Sequence, residues 1–209
     1  MDPSPMWHGT LPANSDLFVQ DAEADWEFKS EEALDFVHGR AMGASIADWP
    51  GLYKDTMKHL KPGGWAEVQE YDAWIYSDTD PKMEQAPNID QLQQLCDEAS
   101  KKHGKHFNNS EFQKQWMIDA GFTNVQEVVF KTPIGSWAKD PELKEVGKKE
   151  RKNLIACVES FALAPLTRIM GWSATDAHSL TAKIRNEFRD PNLRMTSVYR
   201  YVYGQKPSE

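Results

Sequence analysis

Three places along this chain put reactive side chains just after a short apolar run. The acidic turn Asp21-Ala22-Glu23-Ala24-Asp25-Trp26 follows Leu17-Phe18-Val19, His38 and Arg40 close the stretch Leu34 to Arg40, and Tyr71 follows Trp65 to Glu70. In α/β sheets, ligands bind in the crevice beyond the carboxyl ends of the strands, so these are the positions to inspect for chemistry. His38 could act as a general base, since an imidazole with an ordinary pKa of about 6.5 can take a proton from a hydroxyl. The other reading is a histidine that braces the strand end or lines a ligand. Arg40 could hold a carboxylate of a ligand or form an ordinary ion pair. Asp21 to Glu23 is either part of a site or an acidic surface turn. His103 and His106 flank Gly104 without a third ligand nearby, and no metal site is expected. Trp65, Trp74, Trp116, Trp137 and Trp172 are core or lid aromatics, some of which could line an apolar pocket.

The elements that must position these residues alternate in hydrophobic period between two and 3.6. Strands are expected at 17–19, 34–38, 65–71, 125–130 and 198–203. Trp49, Leu52, Tyr53, Met57 and Leu60 share one helical face, with Pro50 in its first turn, and Lys61-Pro62-Gly63-Gly64 should stop that helix. Ile89, Leu92, Leu95, Cys96 and Ala99 mark a second helix that ends at Gly104. Ser110 and Gln113 have the spacing of a capping box for a third. A long helix should run from Pro141 to about Met170 with a kink at Pro165, and Ser173 should cap a last helix along Ala177, Leu180, Ile184 and Phe188. This alternation predicts an α/β fold with a mostly parallel sheet. One domain over residues 1–209 is expected, with 1–16 poorly ordered and helical lid or insert elements within 72–110 and 133–190.

Composition narrows the function. The chain has 209 residues with 24 Lys+Arg against 32 Asp+Glu, a net charge of −8. No basic cluster is available to neutralise phosphates, which argues against nucleic acid as a partner. Cys96 and Cys157 are too few for a disulfide framework and sit on apolar helix faces as small buried hydrophobes. The apolar run Leu154 to Val158 is too short to cross a bilayer, and Met1 to Asp16 has no secretory pattern. An intracellular location, cytoplasmic or nuclear, is expected, with no membrane partner.

Leu60-Lys61-Pro62-Gly63-Gly64-Trp65 between a helix and an apolar strand resembles the approach to the fifth strand of class I S-adenosylmethionine (SAM) methyltransferases. Asp21 to Trp26 ahead of Asp35-Phe36-Val37-His38-Gly39-Arg40, then Asp48-Trp49-Pro50, sharpen the likeness. So do Ala120-Gly121-Phe122-Thr123-Asn124-Val125, Lys131 to Trp137, and the close at Val202-Tyr203-Gly204-Gln205-Lys206-Pro207. The series, from about Asp2 to Pro207, resembles the fungal LaeA-like methyltransferases, regulators and tailoring enzymes of secondary metabolism.

That resemblance implies a Rossmann-like class I fold with SAM as cofactor and a small-molecule or protein nucleophile as methyl acceptor. It implies cofactor contacts at Asp2 (ribose), Asp21 and Ala22 (adenine) and His38, and substrate contacts at Arg40 and Tyr71. A carboxylate suits these roles because it accepts strong hydrogen bonds from ribose hydroxyls or the adenine amino group. His38 is the one catalytic candidate. The family's glycine-rich turn is missing, since none of the twelve glycines lie two apart. An N-terminally truncated fold, lacking the first strand and helix, is therefore expected, with SAM binding weak or lost. The strand at 34–38 should be an open edge, inviting a homodimer or protein partner. Beside the enzyme reading stand a non-catalytic regulatory protein with a degenerate methyltransferase fold, a methyltransferase-like cyclase or isomerase, and an incomplete gene reading.

Overall fold

The computed structural model describes residues 12–26 and 34–208. Asp2, and with it most of the segment expected to be poorly ordered, lies outside the described residues. The elements run β1 (Leu34–Arg40), α1 (Trp49–His59), β2 (Leu60–Tyr71), β3 (Tyr76–Ser77), α2 (Pro87–Lys102), α3 (Gln113–Asp119), β4 (Thr123–Ile134), α4 (Pro141–Ala164), α5 (Ala174–Arg189) and β5 (Met195–Gln205). A π-helical turn at Pro165–Ile169 follows α4, because Pro165 has no N–H to continue the α ladder.

Strand order is β1-β2-β5-β3, with β4 on the free side of β5. β1 and β2 are parallel and joined by α1, a βαβ unit. The expectation of a mostly parallel sheet fails among the described residues, because all pairs made by β5 are antiparallel. Hydrophobic period identifies a strand but carries no direction, and β5 returns only after the long α4–α5 excursion. Among the described strands β1 pairs on one side only, as an edge. The strand expected at Leu17 to Val19 does not form; Val19 makes an isolated bridge and all three side chains are about half exposed.

Two further expectations are corrected. Lys61 to Gly64 do not separate α1 from its strand; they lie within β2, which begins at Leu60. The extra residues form a bulge opposite β1, where Leu34 pairs Leu60 but Phe36 already pairs Trp65, and Gly63 supplies the left-handed φ of 77° it requires. The Ser110–Gln113 capping box is absent. Ser110 Oγ donates to Asp72 instead, and Gln113 Oε1 accepts from the Tyr53 hydroxyl at 2.6 Å. The cap expected at Ser173 forms, its Oγ accepting from Asp176 N, and Asp48 Oδ1, not singled out in the sequence, caps α1 by accepting from Gly51 N. Cys96 is buried, which pushes its thiol up to about 12, whereas Cys157 is only half-buried.

Alternate residues of the strands face two environments. Ala66, Val68 and Val202 sit under α1 and α3, packed with Trp49, Leu52, Tyr53, Met117 and Phe122. A second core joins α2, α4, the π-helical turn and α5 through Ile89, Val158, Leu166, Ile184 and Phe188 to Ile134 and Met195 at the far end of the sheet. There α4 crosses the chain so closely that a Cβ on Gly147 would lie 2.0 Å from the Gly135 carbonyl, so only glycine fits.

Candidate functional site

The 21–26 turn lies against the β1–β2–α1 unit because Trp26 is buried in its core. The indole Nε1 donates to the Ala22 carbonyl at 2.9 Å, and the ring lies 5.1 Å from that of His59. Glu23 ties the same turn to the start of α1, its Oε1 accepting from Ala47 N at 2.9 Å and Asp48 N at 2.8 Å. Between turn, β1, β2 and α1 is a cavity of about 100 Å³, lined by Ala22, Trp26, His38, Met42, Tyr53 and Glu67 among others.

The structure thus brings Ala22 and His38 together. Asp21 is exposed and outside the lining; its Oδ1 accepts from Glu23 N at 3.0 Å, closing its own turn. Arg40 is exposed at the end of β1, also outside the lining, and has no ion-pair partner among the described residues. Tyr71 ends β2 on the same sheet face as His38 but beside α4, its ring 6.3 Å from Tyr199 and 6.5 Å from Phe161. The Tyr71 phenol is raised above its ordinary pKa by burial and by the Glu70 charge.

Three polar groups that sequence reasoning passed over shape the cavity's surroundings. Glu67 stands opposite His38 in the parallel register, and its Oε2 lies 2.9 Å from His38 Nδ1. Glu70, 2% exposed, holds the bend after β1, where Ala41 has a φ of 53°. One carboxylate oxygen accepts from Met42 N at 2.7 Å and the other from Gly43 N at 3.1 Å. Burial raises the Glu70 pKa, opposed by those two amide donors. Tyr53 is pushed far above its usual range by burial and then by Glu70, which leaves it a neutral donor to Gln113. The signal for Glu67 was its even spacing from Tyr71 in β2, which places both on the face opposite Glu70. A larger, open groove of about 490 Å³ on α4 and α5 contains no residue of the sheet, and its Glu159 is already held by His178 and Arg185. Among the described residues no group of His, Cys, Asp and Glu could hold a metal ion, and no helix is long and apolar enough to cross a membrane.

A βαβ unit with a cavity at its strand edge, within a sheet flanked by helices, is the α/β Rossmann-like fold of class I SAM-dependent methyltransferases. The methyltransferase-domain family matches residues 1–127, more than half of the chain, and the chain belongs to that family. It is 33% identical over 206 residues to the methyltransferase pytC of Aspergillus terreus, covering 99% of this chain and 63% of that protein. It is 25% identical over 209 residues to the secondary metabolism regulator laeA of Aspergillus fumigatus, covering 99% of this chain and 55% of that protein. The chain therefore spans somewhat over half the length of these curated relatives, and the expectation of a LaeA-like protein broadens to the fungal methyltransferases that include pytC and laeA. A solved structure of Haemonchus contortus phosphoethanolamine N-methyltransferase 2, with phosphomonomethylethanolamine and S-adenosylhomocysteine, shares 18% identity at a TM-score of 0.47, covering 90% of this chain and 36% of that one.

The described residues fit only part of SAM. A cavity of about 100 Å³ is well below the ~300 Å³ lower limit usual for sites that enclose a small molecule. Its one lining carboxylate, Glu67, is already engaged by His38. The cavity has room for a ring-sized fragment, and no transfer step follows from the residues present.

Proposed function

We propose that this chain forms part of a SAM-dependent methyltransferase of fungal secondary metabolism, acting inside the cell on a small-molecule or protein nucleophile. The observation that carries the reading is the meeting of Ala22 and His38 in one cavity beside the parallel β1–β2 pair, in a chain of the methyltransferase-domain family. In this reading Ala22 and Trp26 take the flat end of the cofactor, and Asp21 becomes available to it once its own turn opens. Asp2 completes the ribose contacts. His38, fixed by Glu67, lines the site. Arg40 and Tyr71, at the ends of β1 and β2, face the acceptor.

The small cavity supports a second reading, a regulatory protein that keeps the fold and uses its open β1 edge or sheet face to bind a protein or a second copy of itself. Calorimetry with SAM, combined with amide-resonance mapping, separates the two. Without a GxG turn the chain forgoes two or three ligand hydrogen bonds at ~1–1.5 kcal/mol each. A micromolar site then weakens to roughly the high-micromolar or millimolar range. The methyltransferase reading expects that weak binding, with the largest shifts at Ala22, Trp26 and His38. Saturating SAM that moves none of these resonances would overturn it in favour of the regulatory one.

A further inference from the structure

Of the larger side chains around the cavity beside β1, all but one are fixed. Trp26 is buried and its indole donates to the Ala22 carbonyl, and Tyr53, 1% exposed, donates to Gln113. His38 and Glu67 hold each other at 2.9 Å, and Leu52 is buried in the core. Met42 is the exception: it is only half-buried against that core and makes no side-chain hydrogen bond among the described residues. Methionine is unbranched with three rotatable bonds, so it can change shape where its neighbours cannot.

The backbone that carries Met42 is clamped. Ala41 N donates to Gln69 O at 3.0 Å, Met42 N and Gly43 N donate to the buried Glu70 carboxylate, and Ser45 N donates to Met42 O at 2.7 Å. Asn109 Nδ2 holds Gly43 O at 3.0 Å. A fixed backbone with a free thioether makes a wall that moves without moving the fold. That thioether lies over Gly39, where a Cβ would fall 2.5 Å from Met42 Cε and 3.5 Å from its sulfur, with Val68 Cγ2 at 3.7 Å. The bare Gly39 backbone is thus a floor that Met42 covers. At about 100 Å³ the cavity is tight for one ring, since a dry cavity of ~150 Å³ binds benzene. Cγ, Sδ and Cε of Met42 fill about 60 Å³ at interior packing density, and swinging them into solvent brings the space to about 160 Å³.

We propose that Met42 determines what this cavity accepts. Over Gly39 it restricts the slot to a single small ring; swung into solvent, it admits a flat two-ring group such as an indole or a purine, with the second ring in the place the thioether leaves. That the purine is the adenine of SAM rests on the methyltransferase reading; the movable wall does not.

The test titrates the 209-residue chain, carrying methyl-labelled methionine, with benzene, indole and adenosine, read by calorimetry and by methyl and amide resonances. Indole binding to the parent should shift the Met42 methyl and leave Met83 and Met195, in the other core, in place. Met42→Ala should bind indole at least about tenfold more tightly than the parent, while benzene changes about threefold or less. Gly39→Ala raises the floor by one methyl, and in the Met42→Ala background it should take back most of the gain. Met42→Val, a milder truncation, should move indole in the same direction by a smaller factor, so a poorly folding Met42→Ala leaves the test intact. A Met42→Ala chain that binds indole no better than the parent, equal gains for benzene and indole, or a Met42 methyl unmoved at saturating indole would each overturn the proposal. Adenosine gaining alongside indole supports the methyltransferase reading as well. Indole gaining without adenosine keeps the movable wall and counts against that reading, whereas adenosine shifts at Ala22 and His38 that ignore Met42 overturn the wall alone.

Discussion

The two faces of the sheet are made from alternate residues of the same strands, and they differ in what covers them. On one, Ala66, Val68, Glu70 and Val202 lie beneath α1 and α3, buried to 6% exposure or less. On the other, register places Phe36, His38 and Arg40 beside Trp65, Glu67 and Gln69, then Tyr203 and Tyr201, then Val128 and Phe130. Phe36 is 54% and Phe130 46% exposed there, and Trp65–Tyr203 and Phe130–Tyr201 pack ring on ring without a helix above them among the described residues. Strands that face water on one side usually alternate apolar with polar residues. β5 departs from that pattern, alternating Val198, Val202 and Gly204 with Tyr199, Tyr201 and Tyr203, whereas β1 and β2 set polar His38, Arg40, Glu67 and Gln69 among the aromatics of the open face. The cavity that joins Ala22 to His38 sits at the β1 edge, between these two faces.

Substitutions can break or sharpen that contrast. The largest effect is expected at Met117, fully buried from α3 against the packed face. Met117→Ala should cost about 2–5 kcal/mol in urea unfolding, and Phe36→Ala on the open face less than ~0.5 kcal/mol. Similar costs for the two would mean that the open face is covered after all. Tyr53→Phe should cost about 1–3 kcal/mol, because it strands the buried Gln113 Oε1 that its hydroxyl satisfied.

Next comes Glu70, whose effect depends on pH. Burial raises its pKa above the ordinary 4.5. Above 4.5 the folded state then binds this proton more tightly than the unfolded chain does. Its contribution to stability is therefore highest at or below that pH and falls as pH rises through the folded-state pKa. Glu70→Gln keeps one acceptor and removes the titration. Thermal melts from pH 4 to 8 should show the parent's advantage over the variant, ~1 kcal/mol at the acid end, shrinking as pH rises. A pH-independent difference would show that the carboxylate is not held in a dry site. The smallest effect is expected from Glu67→Gln. The His38–Glu67 pair is 38% and 24% exposed, so solvent screening should hold its loss to about 0.5 kcal/mol or less.

Much of the framework was legible in the residues. Helices α1, α2 and α5 announce themselves through apolar spacing, α2 also through Gly104 and α5 through Ser173, and β4 and β5 through alternation, with Gly121 and Gly135 marking the ends of β4. What escaped depended on partners far along the chain. Ser110 and Gln113 have the spacing of a local cap, but Asp72 and Tyr53, 38 and 60 residues away, claim both side chains. Asp21 and Glu23 look interchangeable in the acidic turn. Only the docking of Trp26 decides that Glu23 reaches Ala47 and Asp48 while Asp21 folds back on its own turn. Glu67 became a neighbour of His38 through strand register, and a six-residue stretch of β2 opposite three residues of β1 hides that register from any reading of one strand at a time.

Hydroxyl-radical footprinting read by mass spectrometry tests the contrast between the faces most directly, because it reports the solvent access of individual aromatic and sulfur side chains in the folded chain. Phe36, Tyr71, Phe130 and Phe161 are expected to label rapidly, and Trp49, Tyr53, Met117 and Met195 to stay protected until the chain unfolds. Protection of Phe36 and Phe130 equal to that of Trp49 and Tyr53, in a sample shown to be monomeric, would contradict the exposure of that face at Phe36 and Phe130, beyond the end that α4 covers over Met195.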